Sequence, residues 1–158
     1  MKDRDVALVS AFFEALSRGD LDAMAACYHP EVSFADPIFP EVEGRDRVMA
    51  MWTSQLRGRG EFKAGFHEVT GDDRTATARW TAHYTYRGTG RVVDSEIESF
   101  FRFEDGLIVG HRDEFDFRRW SRRALGRPVG FVLGWMPGFR KTIRDRARQA
   151  LEEVAWHG

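Results

Sequence analysis

One cysteine, Cys27, stands in 158 residues. No internal disulfide can form, so the fold rests on its core, and the chemistry suits a reducing, cytoplasmic setting. Cys27 itself reads as a small apolar residue buried on a short helix. Long apolar runs are missing too: VGFVLGWMPGF at 129–139 is too short to cross a bilayer and is broken by Gly and Pro. The opening stretch MKDRDVALVSAFFEALSRGD carries Glu14 and Arg18 inside its apolar pattern and no small-residue cleavage site. It reads as a helix rather than a signal peptide. No glycine-rich phosphate loop precedes a helix, since GTG at 88–90 falls in a hairpin turn, and no Ser occupies a G-x-S-x-G frame. His83, His111 and Asp113 lack the short spacing of a metal site, so neither metal nor cofactor is expected. Repeats and low-complexity linkers are absent, and one domain accounts for the length.

What the chain has in quantity is aromatic and charged residues. Thirteen Phe and five Trp are enough to line an apolar cavity as well as fill a core. The net charge of −1 hides a division: residues 118–148 hold ten Lys or Arg against Asp145 alone, while 1–117 hold 14 against 22 acids. Such a basic C-terminal segment most simply provides a solvated helix face or a contact with the acidic body. No recognition motif accompanies it, so nucleic acid is not an expected partner.

Hydrophobic periodicity lays out the elements. Val6, Val9, Phe12, Phe13 and Leu16 mark a first helix that Gly19 ends; Asp20 caps a second with Leu21, Met24 and Cys27, stopped by Pro30. EVSFAD is a short strand, and after the Pro37–Pro40 turn a third helix carries Val48, Met51, Trp52 and Leu56. From Glu61 the period becomes two, giving four strands in two hairpins through TGDDRT and EDG, an antiparallel meander. The fold class is α+β, an antiparallel sheet with its helices supplied by the first third of the chain. Residues 1–120 form this domain, and 121–158 a helical extension of it, with Ile143, Ala147, Ala150, Leu151 and Val154 on one face of the last helix.

Alternation sorts the strand side chains. Thr75, Thr77, Arg79, Thr81, His83 and Thr85 oppose Ala76, Ala78, Trp80, Ala82, Tyr84 and Tyr86. The first set is expected under a polar-lined cavity, and the second, around Ala76, Trp80 and Tyr84, at an oligomer contact. On the last strand His111, Asp113, Phe115 and Phe117 share a face opposite Arg112, Glu114 and Asp116, which points His111 and Asp113 inward. The 129–139 segment is expected to cover the cavity mouth or a dimer partner. The other reading is membrane-surface contact by Trp135 and Phe139, with flanking Arg residues meeting anionic head groups.

The order helix, short helix, Asp-Pro turn, helix, meander resembles the nuclear transport factor 2-like fold, which implies a curved antiparallel sheet wrapped around the N-terminal helices as a cone with an internal pocket, and a homodimer through the sheet face. RGDLDAMAACYHPEVSFADP resembles the start of the ketosteroid isomerases, and on that match Asp36 falls on their catalytic base. FFRFEDGLIVGHRDEFDFRRW is similar to the end of the limonene-1,2-epoxide hydrolases, which puts Asp113 on a carboxylate of their catalytic triad and Arg79 on its arginine. Over residues 5–120 the chain resembles the SnoaL-like group, which includes polyketide cyclases. The departures bear on the reaction. Phe12 and Ser99 stand where the isomerases hold their Tyr and Asp oxyanion donors, so that stabilisation is missing. Thr81 stands where the hydrolases have their first carboxylate, and Asp36 where they have a water-holding Asn.

The site expected from these residues has Asp36 and Asp113 moving a proton, with Arg79 and His83 orienting substrate or carboxylate. Phe12, Tyr28, Phe34, Trp52, Thr81, Ser99, His111 and Phe115 would surround a small hydrophobic ligand. Acid/base chemistry of this type needs one acid held neutral beside one held charged. Isomerisation, cyclisation and hydration or hydrolysis remain open, and so does a noncatalytic module that carries a lipid-like or steroid-like ligand.

Overall fold

Helix α1, Lys2–Arg18, stops where Gly19 turns to φ +67°, and the N–H groups of Gly19 and Asp20 return to Leu16 and Ala15 carbonyls at 3.1 and 2.9 Å. This Schellman closure requires a left-handed residue, which glycine supplies without a Cβ clash. Asp20 then caps α2, Leu21–Cys27, its Oδ1 accepting the Ala23 N–H at 3.1 Å. The helix gives way to strand β1, Tyr28–Ala35, so Pro30 lies inside a strand rather than ending a helix. It is tolerated because the β1 ladder is irregular between Tyr28 and Ser33, where no proline N–H is needed.

The computed structural model describes residues 2–57, 62–72, 74–126 and 138–152. After β1 come β2 (Val42–Glu43), α3 (Arg45–Leu56), β3 (Lys63–Gly71), β4 (Thr75–Thr85), β5 (Val92–Glu104), β6 (Leu107–Glu114), α4 (Phe117–Leu125) and α5 (Phe139–Glu152). Strands β3 to β6 form the expected meander, and Asp105 and Gly106, at φ +53° and +74°, make the two-residue β5–β6 turn. The whole sheet is mixed rather than antiparallel. Its order is β2-β1-β6-β5-β4-β3, with β1 parallel to β6 in the register Phe34↔His111. That parallel pairing carries Tyr28 and Phe34 to the side of the last strand.

Helix α1 fills the concave face. Phe13 stacks on Phe66 at 5.4 Å between centroids and meets Trp80 at 5.5 Å, while Phe12 contacts Tyr28, Trp52 and Phe101. The small Ala76, Ala78 and Ala82 leave room for these rings, and all three are buried with Trp80 and Tyr84. The expected sense of the β4 faces is therefore inverted. Ala76, Trp80 and Tyr84 pack inside the protomer, where they cannot form a dimer contact, and Arg79 and Thr81 are exposed, with His83 half-buried. The reason is ordinary burial: the apolar face is the one that gains from leaving water.

The C-terminal helices join the same core. Asp116 caps α4 by accepting the Arg119 N–H at 3.1 Å, and Phe117, Trp120 and Ala124 are buried. On α5, Ile143 and Leu151 are buried, and Arg144 Nε donates to the Pro37 carbonyl at 3.0 Å, tying the last helix to the Asp-Pro turn. Most of the 129–139 segment, Trp135 included, lies outside the described residues, as do Val154 and the side chains of Phe139 and Ala150. No described helix is long and apolar enough to cross a membrane.

Candidate functional site

Position 113 lies on the inward side of β6, two residues after His111, so both side chains point under the sheet into the aromatic core. The Asp113 side chain is 5% exposed and that of His111 fully buried. A carboxylate there survives only if its oxygens are bonded. Asp113 Oδ1 receives His111 Nε2 at 2.8 Å and the Ser99 hydroxyl from the neighbouring strand. Ser99 in turn accepts Trp80 Nε1–H at 2.9 Å. On the other side, His111 Nδ1 lies 2.8 Å from the Tyr28 hydroxyl, which accepts Trp52 Nε1–H at 3.1 Å.

The direction of every bond in this chain follows from its ends. An indole N–H only donates, so Tyr28 and Ser99 use their oxygens as acceptors there and send their own protons onward. Tyr28 donates to Nδ1, leaving Nε2–H of His111 to donate to Asp113. Two strings of donors thus converge on one carboxylate oxygen: Trp52, Tyr28 and His111 from one side, Trp80 and Ser99 from the other. Burial holds the Tyr28 phenol well above its ordinary value of 10.0, and the Asp113 charge adds to that, while the Trp52 bond works against it. It stays a donor. Phe12, Phe34 and Phe101 box the imidazole at centroid distances of 5.4, 4.9 and 4.5 Å, fixing its plane.

Asp113 also borders a cavity of ≈ 40 Å³, with Trp52, Trp80, Ile97, Phe115 and Trp120 among its walls and Asp36, Gln55 and Ser95 as polar members. That is room for about one water molecule. Among the described residues, the second Asp113 oxygen takes no part in the donor chain. Asp36 is brought to the same cavity, but its Oδ1 accepts the backbone N–H groups of Ile38 and Phe39 at 2.7 and 2.5 Å. It is a turn-building acid as well as a cavity residue.

Other expected members lie elsewhere. Arg79, on the convex face, is 3.6 Å from Glu68, and His83 Nδ1 is 2.5 Å from Asp94 Oδ1. Thr81 shares that outer face, with its hydroxyl 3.5 Å from the Gly65 carbonyl. None of the three enters the cavity, because β4 turns its polar side outward. Phe12, Tyr28, Phe34, Trp52, Ser99 and His111 do gather around Asp113, as supporting groups. Trp80, Tyr84, Gln55, Ser95 and Trp120 were not expected at the site. A signal for two of them is present in the sequence: a buried indole N–H needs an acceptor, and Trp80 and Trp120 find theirs in Ser99 and in the Tyr84 hydroxyl, the latter at 2.8 Å. Burial also raises the Cys27 thiol, whose Sγ lies 3.4 Å from the Ala23 carbonyl, so it is packed within its own helix rather than activated. Among the described residues no group of three His, Cys, Asp or Glu side chains is arranged to hold a metal ion. The largest of the described concavities, ≈ 690 Å³, is an open polar groove between Asp116 and four arginines, outside the core.

Comparison with known proteins agrees with this architecture. An LEH-like epoxide hydrolase from M. tuberculosis superposes with a TM-score of 0.68 at 21% identity, covering 84% of this chain and 98% of that one. A protein from Jannaschia sp. CCS1, provisionally named a SnoaL-like polyketide cyclase, gives a TM-score of 0.71 at 17% identity, covering 80% and 95%. A hypothetical protein with a ketosteroid isomerase-like fold from Catenulispora acidiphila DSM 44928, solved with trimethylamine, gives 0.68 at 12% identity, covering 82% and 97%. At these identities the likeness is one of fold. No curated protein sequence matches significantly. The SnoaL-like domain model matches residues 9–111, from within α1 to the inward His111, and the chain belongs to the SnoaL-like domain family.

Proposed function

We propose that this protein is an enzyme that uses Asp113 for general acid/base chemistry on a small, largely apolar substrate. The observation that carries the reading is a buried carboxylate with one oxygen held by His111 and Ser99 while the residue borders a largely aromatic cavity. Fixing Oδ1 orients the group, so proton transfer falls to the remaining oxygen. In an isomerisation the proton leaves one substrate carbon for Asp113 and returns to another. In a hydration or epoxide opening it leaves an attacking water. The likeness in fold to the M. tuberculosis protein named an LEH-like epoxide hydrolase makes epoxide hydrolysis one member of this set. Asp36, on the same cavity, offers a second carboxyl group; Arg79 and His83 have no part. The test is a panel of apolar epoxides and unsaturated ketones assayed with the wild type and Asp113→Asn. Turnover that Asp113→Asn reduces about 10²-fold or more supports the reading, and turnover it leaves intact ends it.

A second reading draws on the cavity's size. At ≈ 40 Å³ it has no space for a substrate until the layer of Ile38, Gln55 and Trp120 yields, whereas a groove of ≈ 250 Å³ lies on the far side of those residues. On this reading the protein binds a ligand in the groove without chemistry, and the donor chain to Asp113 holds the core together. Ligand binding with no turnover across the panel distinguishes it.

A further inference from the structure

The groove at the cone mouth has a composition that selects among ligands. Ile38, Gln55 and Trp120 border both it and the inner cavity, so the two are separated by a single layer of side chains. Its floor is apolar: Phe39, Tyr86, Ile143 and Ala147 join Ile38 and Trp120. Its charged members are all of one sign. Arg57 ends α3, Arg87 sits in the β4–β5 turn, and Arg146 projects from α5, and each is exposed. Among the described residues no acidic side chain lines the groove, and none of these three arginines is in an ion pair.

We infer that the mouth groove binds the anionic end of an apolar small molecule, a carboxylate or its equivalent, with the apolar end lying over Trp120 toward Asp113. This rests on the reading that an apolar ligand occupies the cone. Three guanidinium groups from three separate elements surround one apolar surface. That pattern suits a single anion held at the rim, since guanidinium forks match the planar carboxylate and lose little hydration in doing so. A basic helix that only keeps the protein soluble has no need for cations on α3 and on a hairpin turn to face the same groove. The basic character of the C-terminal segment is thereby given a use at one of its residues, Arg146.

A matched pair of fluorescent ligands tests this on the full chain: 8-anilinonaphthalene-1-sulfonate and N-phenyl-1-naphthylamine, which is the same skeleton without the sulfonate. The sulfonate is expected to bind about tenfold more tightly at low ionic strength, with the difference shrinking as salt is added. Replacing Arg57, Arg87 and Arg146 together by Gln should remove that tenfold while leaving the neutral ligand within about twofold. Arg119→Gln with Arg122→Gln, in the larger polar groove, should change neither, and Ala147→Trp, which fills the mouth groove, should weaken both. Equal affinities in the wild type, loss that follows Arg119 and Arg122, or indifference to Ala147→Trp would overturn the inference. A neutral ligand that binds with no gain from the sulfonate sinks only the charge preference, while loss of turnover dependence on Asp113 sinks only the chemistry.

Discussion

The Tyr28 hydroxyl lies 2.8 Å from His111 Nδ1, a bond that joins the first strand to the last across 83 positions of sequence. Parallel pairing of β1 with β6 makes it possible, since that register sets the two strands side by side. Through it, a tryptophan on α3 and a carboxylate on β6 belong to one hydrogen-bonded unit. The energetic consequence is that no member can be removed without leaving a buried neighbour unpaired, at about 1–3 kcal/mol for each orphaned group.

Tyr28→Phe is accordingly expected to lower unfolding free energy by about 1–3 kcal/mol near neutral pH, because Trp52 Nε1–H and His111 Nδ1 both lose a partner. The alkaline limb should change as well. Burial raises the Tyr28 phenol above 10.0 in the folded protein, so above that pH the unfolded chain binds fewer protons than the native one. Stability from the neutral phenol is therefore complete below 10.0 and falls as the pH rises toward the folded value. Urea unfolding followed from pH 8 to 11 should show a shallower decline for Tyr28→Phe than for the wild type. Identical slopes would mean that Tyr28 is not the protonated donor described.

At Asp113, two substitutions separate chemistry from support. Asp113→Asn retains a carbonyl oxygen where Oδ1 receives His111 and Ser99, so stability should change by less than about 1 kcal/mol. Asp113→Leu removes the acceptor for both and should cost about 3 kcal/mol or more. Denaturation midpoints of the pair check this. Equal losses for Asn and Leu would show that the charge, rather than the oxygen, is what the donors require.

How far the chain could be read before its structure was known depends on which physical signal each feature leaves. The inward direction of His111 and Asp113 was legible because Arg112 and Glu114 alternate with them, and charges on one side leave only the other for the core. The two β4 faces gave a weaker signal. Threonine, Arg79 and His83 on one side and alanine with aromatics on the other satisfy the same period, and only the packing of α1's Phe12 and Phe13 shows which side is filled. The donor chain left almost no trace. Its six members are spread from Tyr28 to Asp113 over five elements, and strand register alone sets Ser99 opposite Asp113. The β1–β6 parallel pairing was also hidden, since no local pattern marks a strand's distant partner.

Asp36 offers a test of the Asp-Pro turn. Its Oδ1 accepts from Ile38 and Phe39, and its own N–H returns to the Phe39 carbonyl at 2.7 Å. Asparagine can accept the same two bonds, so Asp36→Asn should hold stability within about 0.5 kcal/mol, whereas Asp36→Ala should lose about 1–2 kcal/mol. Thermal unfolding of both variants decides it. If Ala matches Asn, the turn does not depend on this side chain. If Asp36→Asn abolishes a turnover that its stability leaves possible, Asp36 carries a proton in addition to building the turn.

Arg79 and His83 give the sharpest contrast between resemblance and geometry. The match to the epoxide hydrolases sets Arg79 among catalytic groups, yet its side chain is 64% exposed beside Glu68 on the convex face. His83 is 45% exposed in its pair with Asp94. Pairs this open to solvent contribute between about 0 and 1 kcal/mol, and their loss leaves nothing buried unsatisfied. Arg79→Ala and His83→Ala, alone or together, should therefore leave unfolding free energy within about 1 kcal/mol of the wild type. With any substrate whose turnover Asp113→Asn abolishes, both variants should keep kcat within about twofold, because neither side chain reaches the cavity that Asp113 borders. A loss of kcat comparable to that of Asp113→Asn would return the convex face to the active site and refute the inward assignment of β4. A change in KM alone would not, since it leaves proton transfer untouched.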